Sequence, residues 1–159
     1  MNTHINREAW RRHARSLAGA IAVAVLLAMP AGASERVPGP MAQEVLIKTS
    51  LLTLNDAIVS GNFTVLHAKL AKPLREKFGP DRLKEAFATF ADQNIDMAAI
   101  SAAPPVATDD AQIDDRGVLL LRGHFDVDRL RVTYALDFLP SEGEWRPLSL
   151  TVNANADGK

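Results

Sequence analysis

The chain has 159 residues, with 18 basic residues against 19 acidic, four histidines and no cysteine. That length is a prior for one domain, and 47% hydrophobic with 23% charged residues excludes wholesale disorder and fibrous repeats. Zero cysteine excludes a disulfide scaffold, a thiolate metal site and a cysteine nucleophile, and a net charge of −1 leaves no electrostatic footprint for nucleic acid.

Residues 1–33 read as a secretory signal. Arg7, Arg11, Arg12 and Arg15 make a basic start, and Leu17 to Leu27 is an unbroken run of apolar and small residues. Pro30 breaks it, and Ala31-Gly32-Ala33 supplies a small-x-small cleavage pattern. The uncharged stretch from Ser16 to Ser34, 19 residues, also reaches the length of a membrane anchor. Pro30 and the alanine-rich end favour cleavage after Ala33. The expected product is exported, to the periplasm or the medium, with no stable membrane insertion. Losing four arginines and one glutamate leaves 126 residues with a net charge of −4, which attracts neither anionic lipid nor nucleic acid.

Residues 34–40 hold two prolines around a glycine and read as a linker. Three helices are expected next. Met41 to Ser60 carries Ile47, Leu51, Leu54 and Ile58 on one helical stripe, and Gly61 fits the left-handed residue that closes it. Asn62 caps a second helix bearing Phe63, Leu66 and Leu70, which Lys72-Pro73 ends or kinks before Leu74 and Phe78 continue the face. Gly79-Pro80-Asp81 opens a third, with Leu83, Ala86, Phe87 and Phe90 buried.

From Ile95 the period becomes that of strands. Ile95 to Ala102 is expected first, then a short strand at Ala111 to Asp114 and a turn at Asp115-Arg116-Gly117. Val118 to Val127, Leu130 to Leu139 and Trp145 to Val152 follow. A two-residue loop at Asp128-Arg129 sets Phe125 against Val132, Leu121 against Leu136 and Leu119 against Phe138, with Asp126 facing Arg131 on the other side. A loop at Glu142 to Glu144 sets Phe138 against Leu148, Leu136 against Leu150 and Tyr134 against Val152. Pro147 marks an edge or unpaired position. The domain is expected over 41–154, with a polar tail from Asn153 fraying and 155–159 flexible.

This order is α+β, three N-terminal helices packed on an antiparallel sheet. The run Leu51-Leu52-Thr53-Leu54-Asn55-Asp56-Ala57-Ile58 with Ser60-Gly61-Asn62-Phe63 resembles the opening helix pair of the nuclear transport factor 2-like superfamily. The ending Phe138-Leu139-Pro140-Ser141-Glu142-Gly143-Glu144-Trp145-Arg146, followed by Leu148, Leu150 and Val152, resembles its closing hairpin. The resemblance spans about residues 42–154. It implies a cystatin-like cone, a curved sheet wrapped around helices with a pocket inside, and often a dimer through the outer sheet face. Its members include isomerases, dehydratases, ligand binders and structural modules, so the fold alone selects no function.

A catalytic cone needs titratable groups pointing inward. Asp56 and Glu85 turn away from the apolar stripes of their helices, and Asp137, His124 and Asp126 share the polar sheet face. The inward carboxylate that ketosteroid-isomerase-like members use as a base is therefore not found at these places. Two polar groups do point inward: Tyr134 on the sheet and His67 on the second helix. They are the candidate ligand contacts, and as donor and acid–base they would carry a cofactor-free lyase or isomerase reaction. The acidic pairs Asp109-Asp110 and Asp114-Asp115, and Asp126 with Asp128, lack the alternating loop of a calcium site and read as turns. His67 and His124 fall on opposite sides, which argues against zinc. No metal and no cofactor are expected.

The polar sheet face, with Val118, Leu120, Arg122, His124, Arg131, Thr133 and Ala135, mixes apolar residues with pairable charges and is the candidate homodimer face. The leading expectation is an exported, non-enzymatic module that binds a small apolar ligand or associates with itself or another envelope protein. The alternatives are the Tyr134–His67 enzyme and a structural auxiliary domain of an envelope assembly.

Overall fold

Gly39, extended at φ −65° and ψ 163°, hands the chain to Pro40, whose fixed φ and missing N–H suit a first helical turn. Helix α1 runs Pro40–Ser60 and closes at Gly61, φ +67°, whose N–H donates to Ile58 O at 3.3 Å. The computed structural model describes residues 36–127 and 129–156, the side chain of 156 excepted, all within one compact unit. The expected signal segment lies outside the described residues. So do the last three positions.

The predicted stripe of α1 is buried: Ile47, Leu51, Leu54 and Ile58 are each at most 6% exposed. The two halves of the helix differ. Ser50, Thr53, Asn55 and Ala57 are buried as well, whereas Met41 and Val45 near the start are 82% and 58% exposed. The helix thus crosses the core with its second half and overhangs it with its first.

The expected second and third helices are each divided. Helix α2, Thr64–Lys69, is followed by extended Leu70 and Ala71, then α3, Lys72–Lys77. Pro73 is the cause: in a continuous helix it would leave Lys69 O without a donor and press its ring against that carbonyl. Helix α4, Pro80–Ala86, turns at Phe87 into α5, Ala88–Asp92. At that turn the Phe87 ring stacks on Phe63 at 6.4 Å and meets Phe90 edge-on at 6.2 Å.

Ile95 to Ala102 is not a strand. Ala98–Ala102 is a short 3-10 helix; Met97, which caps its start, and Ile100 within it, three apart, are fully buried. Side-chain oxygens take the N–H groups a strand would offer a neighbour: Asn55 Oδ1 accepts from Met97 N at 2.8 Å and Asp96 Oδ1 from Ala98 N at 2.9 Å.

The sheet is antiparallel and five-stranded. Its strands are β1 (Val106–Ala107), β2 (Gln112–Ile113), β3 (Leu119–Val127), β4 (Leu130–Ser141) and β5 (Glu144–Ala156). The order is β1-β3-β4-β5, with β2 beside β1 on the same edge of β3. The β3–β4 register matches the sequence reading pair for pair, including Phe125 with Val132, Leu121 with Leu136 and Asp126 with Arg131.

The β4–β5 hairpin matches at Tyr134–Val152 and Leu136–Leu150, then slips by one. Phe138 faces Pro147 rather than Leu148, because a bulge lies between Asp137 and Phe138. The turn is Glu142-Gly143, as the sequence suggests, with Ser141 pairing Glu144, so the three-residue loop of Glu142 to Glu144 that the Phe138–Leu148 register needs is not formed. Both turn residues are left-handed, φ 58° and 83°, as a two-residue hairpin demands. Glu142 is held there by Arg75, Nη2 to Oε1 at 3.0 Å, and by Arg146, Nη2 to Oε2 at 3.2 Å. The tail from Asn153 does not fray up to Ala156: it continues β5 and pairs with Thr133 back to Leu130.

Strand β5 is the edge of the sheet opposite β1, as Pro147 implies. Ala71 N bonds Pro147 O at 2.8 Å, tying the start of β5 to the break between α2 and α3. One hydrophobic cluster joins the α1 stripe to Leu119, Leu121 and Phe125 of β3 and Val132, Tyr134, Leu136 and Phe138 of β4. The fold is α+β, with helices against one face of the sheet.

Candidate functional site

Tyr134 is 2% exposed, on the core face of β4, its ring 5.7 Å from that of Phe125. Its register partner is Gly123, and the absence of a side chain there is what admits the ring. A Cβ on Gly123 would lie 2.5 Å from the Tyr134 hydroxyl and closer still to Val106 O. Burial pushes the phenol up to about 12. His67, half-buried on α2, places Nε2 3.0 Å from Arg75 O. A carbonyl only accepts, so Nε2 carries the hydrogen. Neither residue lines either of the two cavities described below.

On the outer face of the sheet, Arg122 Nη2 meets Asp137 Oδ1 at 2.6 Å and its Nη1 donates to Leu136 O at 2.8 Å. Arg131 Nε lies 2.6 Å from Asp126 Oδ1, which draws that carboxyl below its usual range, with His124 Nε2 3.3 Å from Oδ2. Leu120 and Ala135 are half-buried beside them, and Thr133 is exposed. The charges of this face are thus matched within the chain. Val118 does not belong to it: at 3% exposed it is withdrawn from the surface, its N–H donating to Asp114 Oδ1 at 3.0 Å and its carbonyl accepting from Asp114 N at 2.9 Å. Asp114 also takes Arg116 N and the Arg116 guanidinium, so its carboxylate is used by the turn; the Val118 N–H first, then Arg116, hold its pKa down. Among the described residues no group of three or more histidines, aspartates and glutamates is placed to hold a metal ion.

The open space lies elsewhere, where the overhanging half of α1 faces the start of β5. A groove of about 990 Å³ runs between them. Met41, Ala42, Val45 and Leu46 of α1 form one wall with Pro38 and Pro40. Trp145 and Pro147 of β5 form the other, above Phe138 of β4 and Leu66 of α2. Polar groups are few. Ser50 is spent on Leu46 O at 2.8 Å. Thr53, 8% exposed, accepts from Lys69 Nζ at 3.0 Å. Arg146 donates through Nη1 to Ala68 O at 3.0 Å and pairs through Nη2 with Glu142 and Glu144, while its Nε is buried without an acceptor among the described residues.

A smaller cavity of about 340 Å³ sits among Gln93, Asn94, Ile95, Asp96, Leu130 and Ala154, toward the other end of β4 and β5. Its lining is half polar and half apolar, and Asp96 is its one titratable residue.

The groove was not legible as a site beforehand. Its walls follow from the bulge, which sets Pro147 opposite Phe138 and Trp145 opposite Pro140. With Leu148 opposite Phe138, the face of Trp145 would be the reverse. The one available signal was the exposed pair Met41 and Val45, at helical spacing but off the buried stripe.

Comparison with protein families, with curated proteins and with solved structures finds no match to this chain. Among the described residues, no helix is long and apolar enough to cross a membrane.

Proposed function

We propose that this protein is a non-enzymatic binding module, exported as its N-terminal sequence predicts, that takes one small, largely apolar ligand in the groove between α1 and the β4–β5 hairpin. The observation that carries this reading is the groove itself. Its volume is that of a typical small-molecule site, and its walls are mainly apolar with few polar groups at one end. Exposed Met41 and Val45 fit the same reading, because a monomer gains nothing by keeping such side chains in water.

The order of helices followed by an antiparallel meander supports a nuclear transport factor 2-like relationship, with binding rather than catalysis as the use of the fold. The enzyme alternative has less support. A phenol at about 12 is a poor acid–base group at neutral pH, and His67 spends Nε2 on a backbone carbonyl.

Trp145 supplies the test. Trp10 is the only other tryptophan, so Trp10→Phe leaves a single emitter in the groove wall. Titration of that variant with dodecanol, below its solubility limit, should shift Trp145 emission saturably. An unchanged spectrum up to that limit overturns the reading.

A further inference from the structure

Lys69 stands out among the groove's charged residues. Arg146 faces Glu142 at 3.2 Å and Glu144 at 3.6 Å, so its charge is offset by neighbouring acids. Lys69 instead bends to a neutral hydroxyl, Thr53 Oγ1, at 3.0 Å. Thr53 is buried on α1, so this hydrogen bond holds the ammonium of the otherwise exposed Lys69 against the wall of a largely apolar groove. A hydroxyl contributes dipole but no countercharge. One unit of positive charge without a carboxylate partner among the described residues therefore borders the apolar groove walls, where it attracts an anion.

Resting on the binding reading above, we propose that the ligand is a monoanionic amphiphile, a long-chain carboxylate, whose head group pairs with Lys69 and whose chain lies along Val45, Leu46, Trp145 and Pro147. A single negative charge matches the single uncompensated cation. A dianionic head would bring a surplus charge toward Glu144, which lines the same groove. A neutral ligand would leave the ammonium facing an apolar chain, and a cationic head would meet Lys69 directly.

The test uses the full chain carrying Trp10→Phe, with Trp145 emission read against dodecanoate, dodecanol and dodecylammonium below their critical micelle concentrations. Dodecanoate should bind about tenfold more tightly than dodecanol, the scale of one charge-assisted hydrogen bond after desolvation, and dodecylammonium most weakly. Lys69→Met should bring dodecanoate to the affinity of dodecanol, and Lys69→Arg should keep the preference. Lys69 is exposed, so neither variant threatens the core. Equal binding of all three amphiphiles overturns the head-group assignment and leaves the groove reading standing. A dodecanoate preference that survives Lys69→Met overturns the role of Lys69. No response to any of the three overturns the groove reading itself.

Discussion

Asn55 and Asp96 are joined across 41 positions of sequence: Asn55 Nδ2 lies 2.9 Å from Asp96 Oδ1, and Asn55 Oδ1 accepts the Met97 N–H at 2.8 Å. A buried amide on α1 thus pins the segment that leads from the helices into the sheet. Met97 is fully buried, so its N–H depends on this acceptor. Asn55→Ala should lower unfolding free energy by about 1–3 kcal/mol, the cost of a stranded buried donor. Urea unfolding measures it, and an unmoved midpoint with an unchanged slope would contradict the account.

Gly123 is the second sensitive point. A Cβ there meets both the Tyr134 ring and the Val106 carbonyl. Gly123→Ala should cost about 1–3 kcal/mol as overpacking. Because Val106 O is backbone, Gly123→Ala should still lower the melting temperature when added to Tyr134→Ala. A double variant as stable as Tyr134→Ala alone would show that the ring alone sets the constraint.

Acid should weaken the fold through identifiable carboxyls. Asp96 is held below the usual aspartate value of 3.8 by the Ala98 N–H and then Asn55, and Glu142 below 4.5 by Arg75. A carboxyl whose pKa is lower folded than unfolded adds stability above the unfolded value and loses it as pH falls through the folded one. Melting temperature should therefore hold steady above the ordinary carboxylate range and decline below it. Asp96→Asn should flatten that decline, and an unaltered acid profile in this variant would remove Asp96 from the list of contributors.

Val45→Asp tests the groove without touching the core. Val45 is 58% exposed, so stability should change by only about 0.5 kcal/mol. A charge on the apolar wall should nonetheless abolish the dodecanol-induced shift of Trp145 emission. Retention of that shift would place the apolar ligand somewhere other than this groove.

The strands were largely readable because their signal is local and self-checking. Alternation from Leu119 to Phe138 leaves one register in which Phe125 meets Val132 and Asp126 meets Arg131, and that register is present. The α1 stripe was readable for the same reason. The break that Lys72-Pro73 signals between α2 and α3 is local too, and it is present. What escaped depends on partners remote in sequence. Asn55 converts an apparent strand into a 3-10 turn. The bulge before Phe138 leaves the pattern of Leu148, Leu150 and Val152 looking regular while moving Trp145 and Pro147 to the other face. Tyr134 and His67 were found by direction alone. Direction places Tyr134 in a packed interior, whereas a site needs room beside it.

The two margins of the sheet are unlike. On one side β1 and β2 cover β3; on the other, beyond the Ala71 N–H on Pro147 O, no strand follows β5 among the described residues, and the nine residues from Leu148 to Ala156 carry no charge. Bare, uncharged margins of this length are where polymerisation begins, since a second molecule can add its own backbone there with nothing to repel it. Any self-templating of this protein at high concentration therefore has a polarity built in: it grows outward from β5, and a lysine at Thr151 or Asn153 is the natural gatekeeper against it.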